Sequence, residues 1–427
     1  MARFIIKNSP PLKGSVKISG SKNAVLPILA ASLLAEGKCI IREVPCQSDV
    51  ETMLKLLERL GADLQWDKDA GIIHTSASSR LRTEAEYELV SKMRASFLVM
   101  GPLLARLGEV NVPLPGGCAI GARPVDLHLK GFCALGAEVV QEHGNVSAKA
   151  KRLKGARIYL DFPSVGATEN IMMAAVLADG VTVLENCAVE PEIVDLANFL
   201  NSAGAEVRGA GTDTIKIIGV KSISKADHSV IPDRIEAGTF MVAAGVTKGD
   251  ITVTNVVADH LKPLIAKLKE VNLNVEETEA GLRVYYKEGR RLIATDVKTL
   301  PYPGFPTDMQ AQFMSLLILA EGTSIVTETV FENRFMHVGE FKRMGADIKI
   351  ESRSAIIEGV KKLMGAQVKA TDLRAGAALA LAALTASGTT ELSDIYHIDR
   401  GYCNLAEKLS QLGAMIHREE DFSEKNC

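Results

Sequence analysis

The sequence predicts an α/β protein built as two inside-out α/β domains, each of three βαβαββ repeats around buried helices. Three observations predict it. A segment reading apolar helix, glycine, short strand recurs six times, with glycines at 37, 108, 180, 249, 322 and 388, separated by 71, 72, 69, 73 and 66 residues. A second marker keeps the same phase: Leu60-Gly61-Ala62-Asp63, Leu135-Gly136-Ala137-Glu138, Ala203-Gly204-Ala205-Glu206, Met344-Gly345-Ala346-Asp347 and Leu412-Gly413-Ala414-Met415. The stretch ahead of each first glycine is apolar on all sides, which places helices inside and sheets outside.

Taken in order, each unit opens with one of these stretches: residues 25–35, 97–107, 171–178, 240–246, 313–320 and 376–384. At about 10 to 15 residues they are too short to cross a bilayer, so they read as core helices. Alternating segments such as residues 39–44 and 251–254 follow and read as strands. The stretches ahead of the Gly-Ala markers, for example residues 50–60 and 405–412, carry apolar residues at helical spacing with charges between, which is the pattern of a half-exposed helix. The fourth unit departs, with Val271-Asn272-Leu273-Asn274 at the marker. Six like units most simply make two domains of three, with a boundary near residues 228–233; an open solenoid is the alternative.

Composition agrees and narrows the chemistry. Of 427 residues, 47% are hydrophobic and only 5% aromatic, with 35 glycines, so the core is aliphatic and turn-rich. Basic and acidic residues nearly cancel, 49 against 52, so no global field favours nucleic acid or an anionic membrane, and any anionic ligand is held locally. No signal core or membrane-length apolar run is present, which reads as a cytoplasmic protein without membrane insertion. Seven cysteines without a CxxC pair argue against a disulfide framework and against a zinc site, and most are expected to be buried.

In a repeat protein the residues that break the pattern carry the function. One break lies at the starts of the buried helices, where ionisable or polar residues adjoin dry sequence: Lys22 and Asn23, Arg94, Ser164 with Gly166, Arg234 with Glu236, Asp308, and Asp372 with Arg374. Free backbone N–H groups and the positive dipole end there suit phosphate or carboxylate; ordinary capping and ion pairing is the plain alternative. The other break is the connection after the second unit's short strand, residues 112–125, with three glycines and three prolines. It reads as an exposed lid that carries Cys118 five residues ahead of Arg123, a pairing suited to a thiol of lowered pKa. A third connection, residues 393–401, offers Arg400, whose plain reading is an ion pair with Asp399.

Ser21-Lys22-Asn23-Ala24, Arg94-Ala95-Ser96, the loop LPGGCAIGARPVD from Leu114 to Asp126, Pro306-Thr307-Asp308, Glu332-Asn333-Arg334 and Asp399-Arg400-Gly401 closely resemble the bacterial UDP-N-acetylglucosamine enolpyruvyl transferase family, in order from about residue 1 to 420. The resemblance implies a first domain over 22–230, a second over 1–21 plus 231–420 with the N-terminal strand packed onto it, and a mobile tail over 421–427. It implies transfer of the enolpyruvyl group of phosphoenolpyruvate to the 3′-hydroxyl of UDP-N-acetylglucosamine with release of phosphate, the first committed step of peptidoglycan synthesis. Cys118 matches the family's general acid and the cysteine alkylated by fosfomycin, and Asp308 its base. Lys22, Arg123 and Arg400 match cationic contacts to phosphoenolpyruvate, and Asn23 a polar contact near the reacting hydroxyl. The nucleotide sugar is expected along Arg94, Arg123, Pro124, Val125, Asp126, Leu127, Ser164, Val165, Gly166, Asp308 and Val330, with Arg334, Asp372 and Arg374 organising the second domain's share. No metal and no organic cofactor is implied. The rivals are the 3-phosphoshikimate enzyme of the same superfamily, which lacks the Pro-Gly-Gly-Cys loop, and an idle anion-binding repeat scaffold.

Overall fold

The computed structural model describes residues 2–77, 80–115 and 124–420. These fall into two compact units. One comprises 2–19 and 232–420, the other 20–77, 80–115 and 124–231. Each has its own aliphatic core. Cys118, Arg123 and the tail over 421–427 lie outside the described residues.

In the first part of the chain the buried helices are Lys22–Ala31, Met100–Leu107 and Val165–Ala175; in the second they are Arg234–Val246, Gln310–Leu317 and Leu373–Ala383. Every residue of Arg234–Val246 except the first is buried. The half-exposed helix Ser48–Arg59 instead buries Val50, Met53, Leu54, Leu56 and Leu57 on one side, the stripe its sequence predicts.

Among the described residues each unit holds three sheets whose strands alternate buried and exposed residues, so one face covers the helices. The third repeat shows the plan. Arg157–Tyr159 pairs in parallel with Val181–Glu185 across the buried helix, and the hairpin Glu206–Arg208 and Thr214–Ile218 completes the sheet in antiparallel order. This is the βαβαββ unit.

Two sheets are completed by exchange. Lys13–Lys17 precedes the first buried helix in the chain yet pairs with Asp250–Thr254 of the fourth repeat. Asp227–Ser229 precedes the fourth buried helix yet pairs with Lys38–Arg42 of the first. The N-terminal strand Arg3–Lys7 supplies the hairpin partner of Ile416–Glu419 and joins Thr389–Ser393 in the sixth sheet.

The second marker has a backbone cause. Gly61, Gly136, Gly204, Gly345 and Gly413 all have positive φ at helix ends, a conformation that glycine adopts without a β-carbon clash. In the fourth repeat Asn272 takes that place at φ 72°, and asparagine is the residue that best tolerates it, which explains the departure.

The expectation that most cysteines are buried is overturned. Among the described residues Cys39 and Cys187 are buried, Cys403 is intermediate, and Cys46 and Cys133 are exposed, since they fall in a connection and on the outer side of Asp126–Ala134. Burial raises the Cys39 thiol and pushes Cys187 up to about 11. No described helix is long and apolar enough to cross a membrane.

Gly359 sits after an outer strand, where an added β-carbon would overlap the Ala320 carbonyl oxygen; Gly219 repeats the arrangement against Ala178. Gly359→Ala is expected to cost more than ~2 kcal/mol by thermal unfolding, because backbone has to shift. Gly339→Ala, on Val338–Arg343 with nothing within 4 Å, should be neutral or stabilise by ~0.5–1 kcal/mol.

Candidate active site

Lys22 is the first residue of its buried helix and is itself buried. Its Nζ lies 3.3 Å from Asp49 Oδ2, on the first turn of Ser48–Arg59. A cation in that position needs such a partner, since an unpaired buried ammonium costs several kcal/mol. Asn23 follows it, half-buried. Arg94, also half-buried, donates from Nη2 to the Pro124 carbonyl at 3.1 Å, which ties the start of the second repeat's buried segment to the residues leading into Asp126–Ala134.

In that same unit the sequence-predicted residues Val125, Asp126 and Leu127 lie at the start of one helix, and Ser164, Val165 and Gly166 at the start of another. His128 joins the two. A β-carbon at Gly166 would stand 3.3 Å from His128 Cε1, and the imidazole meets Phe97 edge to face at 5.3 Å. Asn170 fixes its orientation. The Asn170 Oδ1 accepts the Gly101 N–H at 2.7 Å, so its Nδ2 donates to the Phe97 carbonyl and to His128 Nδ1, both at 3.0 Å. The imidazole therefore carries its proton on Nε2. Burial, with Arg94 a lesser cause, pushes His128 down to about 3.

The second cluster belongs to the other unit and centres on Asp308, in the turn Thr307–Met309 that opens the fifth buried helix. Arg334 Nη2 donates to Asp308 Oδ1 at 2.7 Å, and Arg374 Nε and Nη2 donate to Oδ2 at 3.3 and 3.1 Å. The carboxylate side chain is 28% exposed, whereas the two guanidiniums are 4% and 1% exposed. Burial alone would lower Arg374, but Tyr402, Asp308 and Asp233 outweigh it and hold the guanidinium charged. Its plane packs over the Tyr402 ring at 5.3 Å. The Tyr402 hydroxyl in turn meets Thr239 Oγ1 and the Gln312 amide at 3.0 Å, and that amide donates to the Asp308 carbonyl at 2.8 Å.

Asp372 caps Leu373–Ala383 by accepting from the N–H groups of Arg374 and Ala375 at 2.8 and 3.0 Å, and Asp233 caps Arg234–Val246 in the same way. At these two helices the backbone donors are taken up by the protein's own carboxylates, which is the plain reading raised above. Val330 gives its N–H to Glu328 Oε1 at 2.8 Å. Arg400 is half-buried, and the carboxylate of its neighbour Asp399 is held by both terminal nitrogens of Arg418, at 2.9 and 3.0 Å.

Sequence reasoning missed His128, Asn170, Glu328, His337, Tyr402 and Gln312. Asn170 and Gln312 had a readable signal, as amides standing immediately ahead of the apolar runs 171–178 and 313–320. His337, fully buried ahead of Val338–Arg343, is pushed down to about 4 by burial, with Asp372 opposing and Arg334 adding to the shift.

Both imidazoles start from 6.5, so between that value and about 3 or 4 the unfolded chain binds more protons than the folded one. Their contribution to stability is complete above pH 6.5 and falls with pH by up to ~1.4 kcal/mol per unit for each group. Nitrogen-15 NMR at pH 5 is expected to show His128 neutral with its proton on Nε2; an imidazolium signal there would refute the assignment.

The family model described as EPSP synthase (3-phosphoshikimate 1-carboxyvinyltransferase) matches residues 6–409. The chain is 61% identical over 417 residues to UDP-N-acetylglucosamine 1-carboxyvinyltransferase 1 of Caldanaerobacter subterraneus subsp. tengcongensis, covering 98% of this chain and 99% of the relative. It is 60% identical over 421 residues to UDP-N-acetylglucosamine 1-carboxyvinyltransferase 2 of Carboxydothermus hydrogenoformans, covering 99% and 100%. Among solved structures it is similar to the enolpyruvyl transferase NikO from Streptomyces tendae, with TM-score 0.86 at 24% identity over 98% of each chain. The EPSP synthase of Acinetobacter baumannii gives TM-score 0.77 at 19% identity, over 98% and 100%. These two likenesses bear out the expected fold. On the family match and the two near-full-length relatives, the chain is a transferase and belongs to the EPSP synthase (3-phosphoshikimate 1-carboxyvinyltransferase) family of enolpyruvyl transferases.

Proposed function

We propose that the chain transfers the enolpyruvyl group of phosphoenolpyruvate to the 3′-hydroxyl of UDP-N-acetylglucosamine, releasing phosphate, as the first committed step of peptidoglycan synthesis. The observation that carries the reading is a carboxylate held between two guanidiniums, Asp308 between Arg334 and Arg374, in a chain 60 and 61% identical to relatives named for that reaction.

The chemistry is addition followed by elimination. The Cys118 thiol protonates C3 of phosphoenolpyruvate while the sugar oxygen bonds to C2 and its proton passes to Asp308, giving a tetrahedral intermediate. The bond from C2 to the phosphate oxygen then breaks, a proton passes from C3 back to the Cys118 thiolate, the C2–C3 double bond is restored, and the phosphate leaves with the proton held by Asp308. Lys22, Arg123 and Arg400 are assigned to the anionic groups of phosphoenolpyruvate, where charge-assisted hydrogen bonds stabilise phosphate and carboxylate. Asn23 is assigned to the reacting hydroxyl. Arg94, Pro124, Val125, Asp126, Leu127, Ser164, Val165, Gly166 and Val330 are assigned to the nucleotide sugar, and Asp372 to holding Arg374 through its helix cap. A cytoplasmic setting fits the free thiols of the described cysteines.

Phosphate release with each acceptor tests the reading. Turnover is expected with UDP-N-acetylglucosamine, and turnover only with shikimate 3-phosphate overturns it. Cys118→Ala should lower kcat by ~10²–10⁴, the usual worth of a positioned acid, and fosfomycin should label Cys118 in the presence of the nucleotide sugar. Asp308→Asn is expected to lower kcat by a similar ~10²–10⁴ in the same assay.

A further inference from the structure

In four of the six repeats, the residue that follows the strand after the buried helix turns the chain with positive φ: Glu43, Asn186, Asn255 and Asp394. Asn186 and Asn255 use their side chains alike, donating to the carbonyls of Leu160 and Ile18 just past the parallel neighbour strand. In the fifth repeat the corresponding residue is Glu328, after Thr323–Thr327, and it is not among the positive-φ residues. A side chain that donates nothing has replaced a donating amide, and the local pattern of hydrogen bonds is inverted around it.

Glu328 is 1% exposed and accepts four hydrogen bonds. Oε1 receives the Thr299 hydroxyl at 2.8 Å and the backbone N–H groups of Val330 and Phe331 at 2.8 and 3.1 Å. Oε2 receives the Thr307 hydroxyl at 2.8 Å. The Thr307 oxygen then accepts from Arg334 Nη1 at 2.8 Å, while Nη2 of the same guanidinium holds Asp308. A hydroxyl has one proton, and here an anion takes it at one end while a cation faces the lone pairs at the other. The direction of the bond is therefore forced.

We infer that Glu328 and Thr307 are positioning residues: they orient the Arg334 guanidinium, and through it the Asp308 carboxylate, while the same Glu328 fixes the backbone at Val330. The inference rests on the function proposed above, because it assigns these residues to the alignment of the base and of one stretch of the acceptor site. Glu328→Gln is the informative change, being nearly isosteric. The amide oxygen must stay on the N–H groups of Val330 and Phe331, so the NH₂ faces Thr307 and donates. The Thr307 proton is then turned toward Arg334, where two donors oppose each other.

The test is a double-mutant cycle of Glu328→Gln and Thr307→Val, read as kcat/KM for UDP-N-acetylglucosamine at saturating phosphoenolpyruvate. Each single variant is expected to lose about tenfold, and the double variant also about tenfold, where independent effects would give about a hundredfold. Thr307→Ser, which keeps the hydroxyl, recovers most of what Thr307→Val loses. The same cycle read by thermal unfolding of the free protein should show the double variant no less stable than the weaker single one. Effects that multiply in both readouts overturn the relay. Coupling that persists in unfolding, in a protein that releases no phosphate with UDP-N-acetylglucosamine, supports the relay and overturns the proposed function.

Discussion

A helix enclosed by apolar neighbours has only its ends available for charge, and this constraint orders both units. Along the interior of Arg234–Val246 or Leu373–Ala383 an ionised side chain would forgo hydration with nothing to offset it. Charged groups therefore collect at the starts of these helices, and several are paired: Lys22 with Asp49, Asp233 and Asp372 with backbone N–H groups, Asp308 with two guanidiniums. Packing and charge are thus separated along these two helices. The helix body fills the core, and its first turn is left to polar work.

The exchanged strands follow from the same requirement. Each sheet needs a parallel strand ahead of its buried helix to cover that helix's flank. For the first and fourth repeats the strand preceding the helix in the chain is used elsewhere, Lys13–Lys17 beside Asp250–Thr254 and Asp227–Ser229 beside Lys38–Arg42. Every repeat still obtains its four-strand plan or comes close to it. Among the described residues the second repeat has three strands, and an isolated parallel bridge from Glu84 to Asn111 stands where the fourth would be.

Much of this was legible in the sequence because the repeat is written in two kinds of signal that survive divergence. Apolar runs report burial, and glycines report a backbone conformation that few other residues adopt; Asn272 shows that the second signal concerns φ and not glycine as such. The polar starts of the buried helices were legible too, as breaks in the pattern. Their partners were not. Asp49, His128, Glu328 and Tyr402 lie on other elements, and nothing in their local sequence distinguishes them from surface or core residues of the same type. The cysteines misled for a related reason: burial is set by the face of the helix or the connection on which a residue falls, and Cys46 and Cys133 occupy outward positions.

The clamp on Asp308 bears on how a carboxylate of this kind works as a base. Two guanidiniums on its oxygens stabilise the ionised form and weaken it as a proton acceptor. In the proposed addition step this is tolerable, because the sugar hydroxyl loses its proton as its oxygen bonds to C2 and becomes more acidic during the step itself. What the reaction then demands of the carboxylate is position more than basicity. Arg374 meets that demand from a rigid base, its guanidinium packed over Tyr402 and its backbone N–H held by the cap residue Asp372. Arg334 meets it through Thr307 and Glu328. The two arms are unlike, one built on an aromatic face and one on a hydroxyl and a buried carboxylate, yet both tie the carboxylate to side chains that are themselves buried.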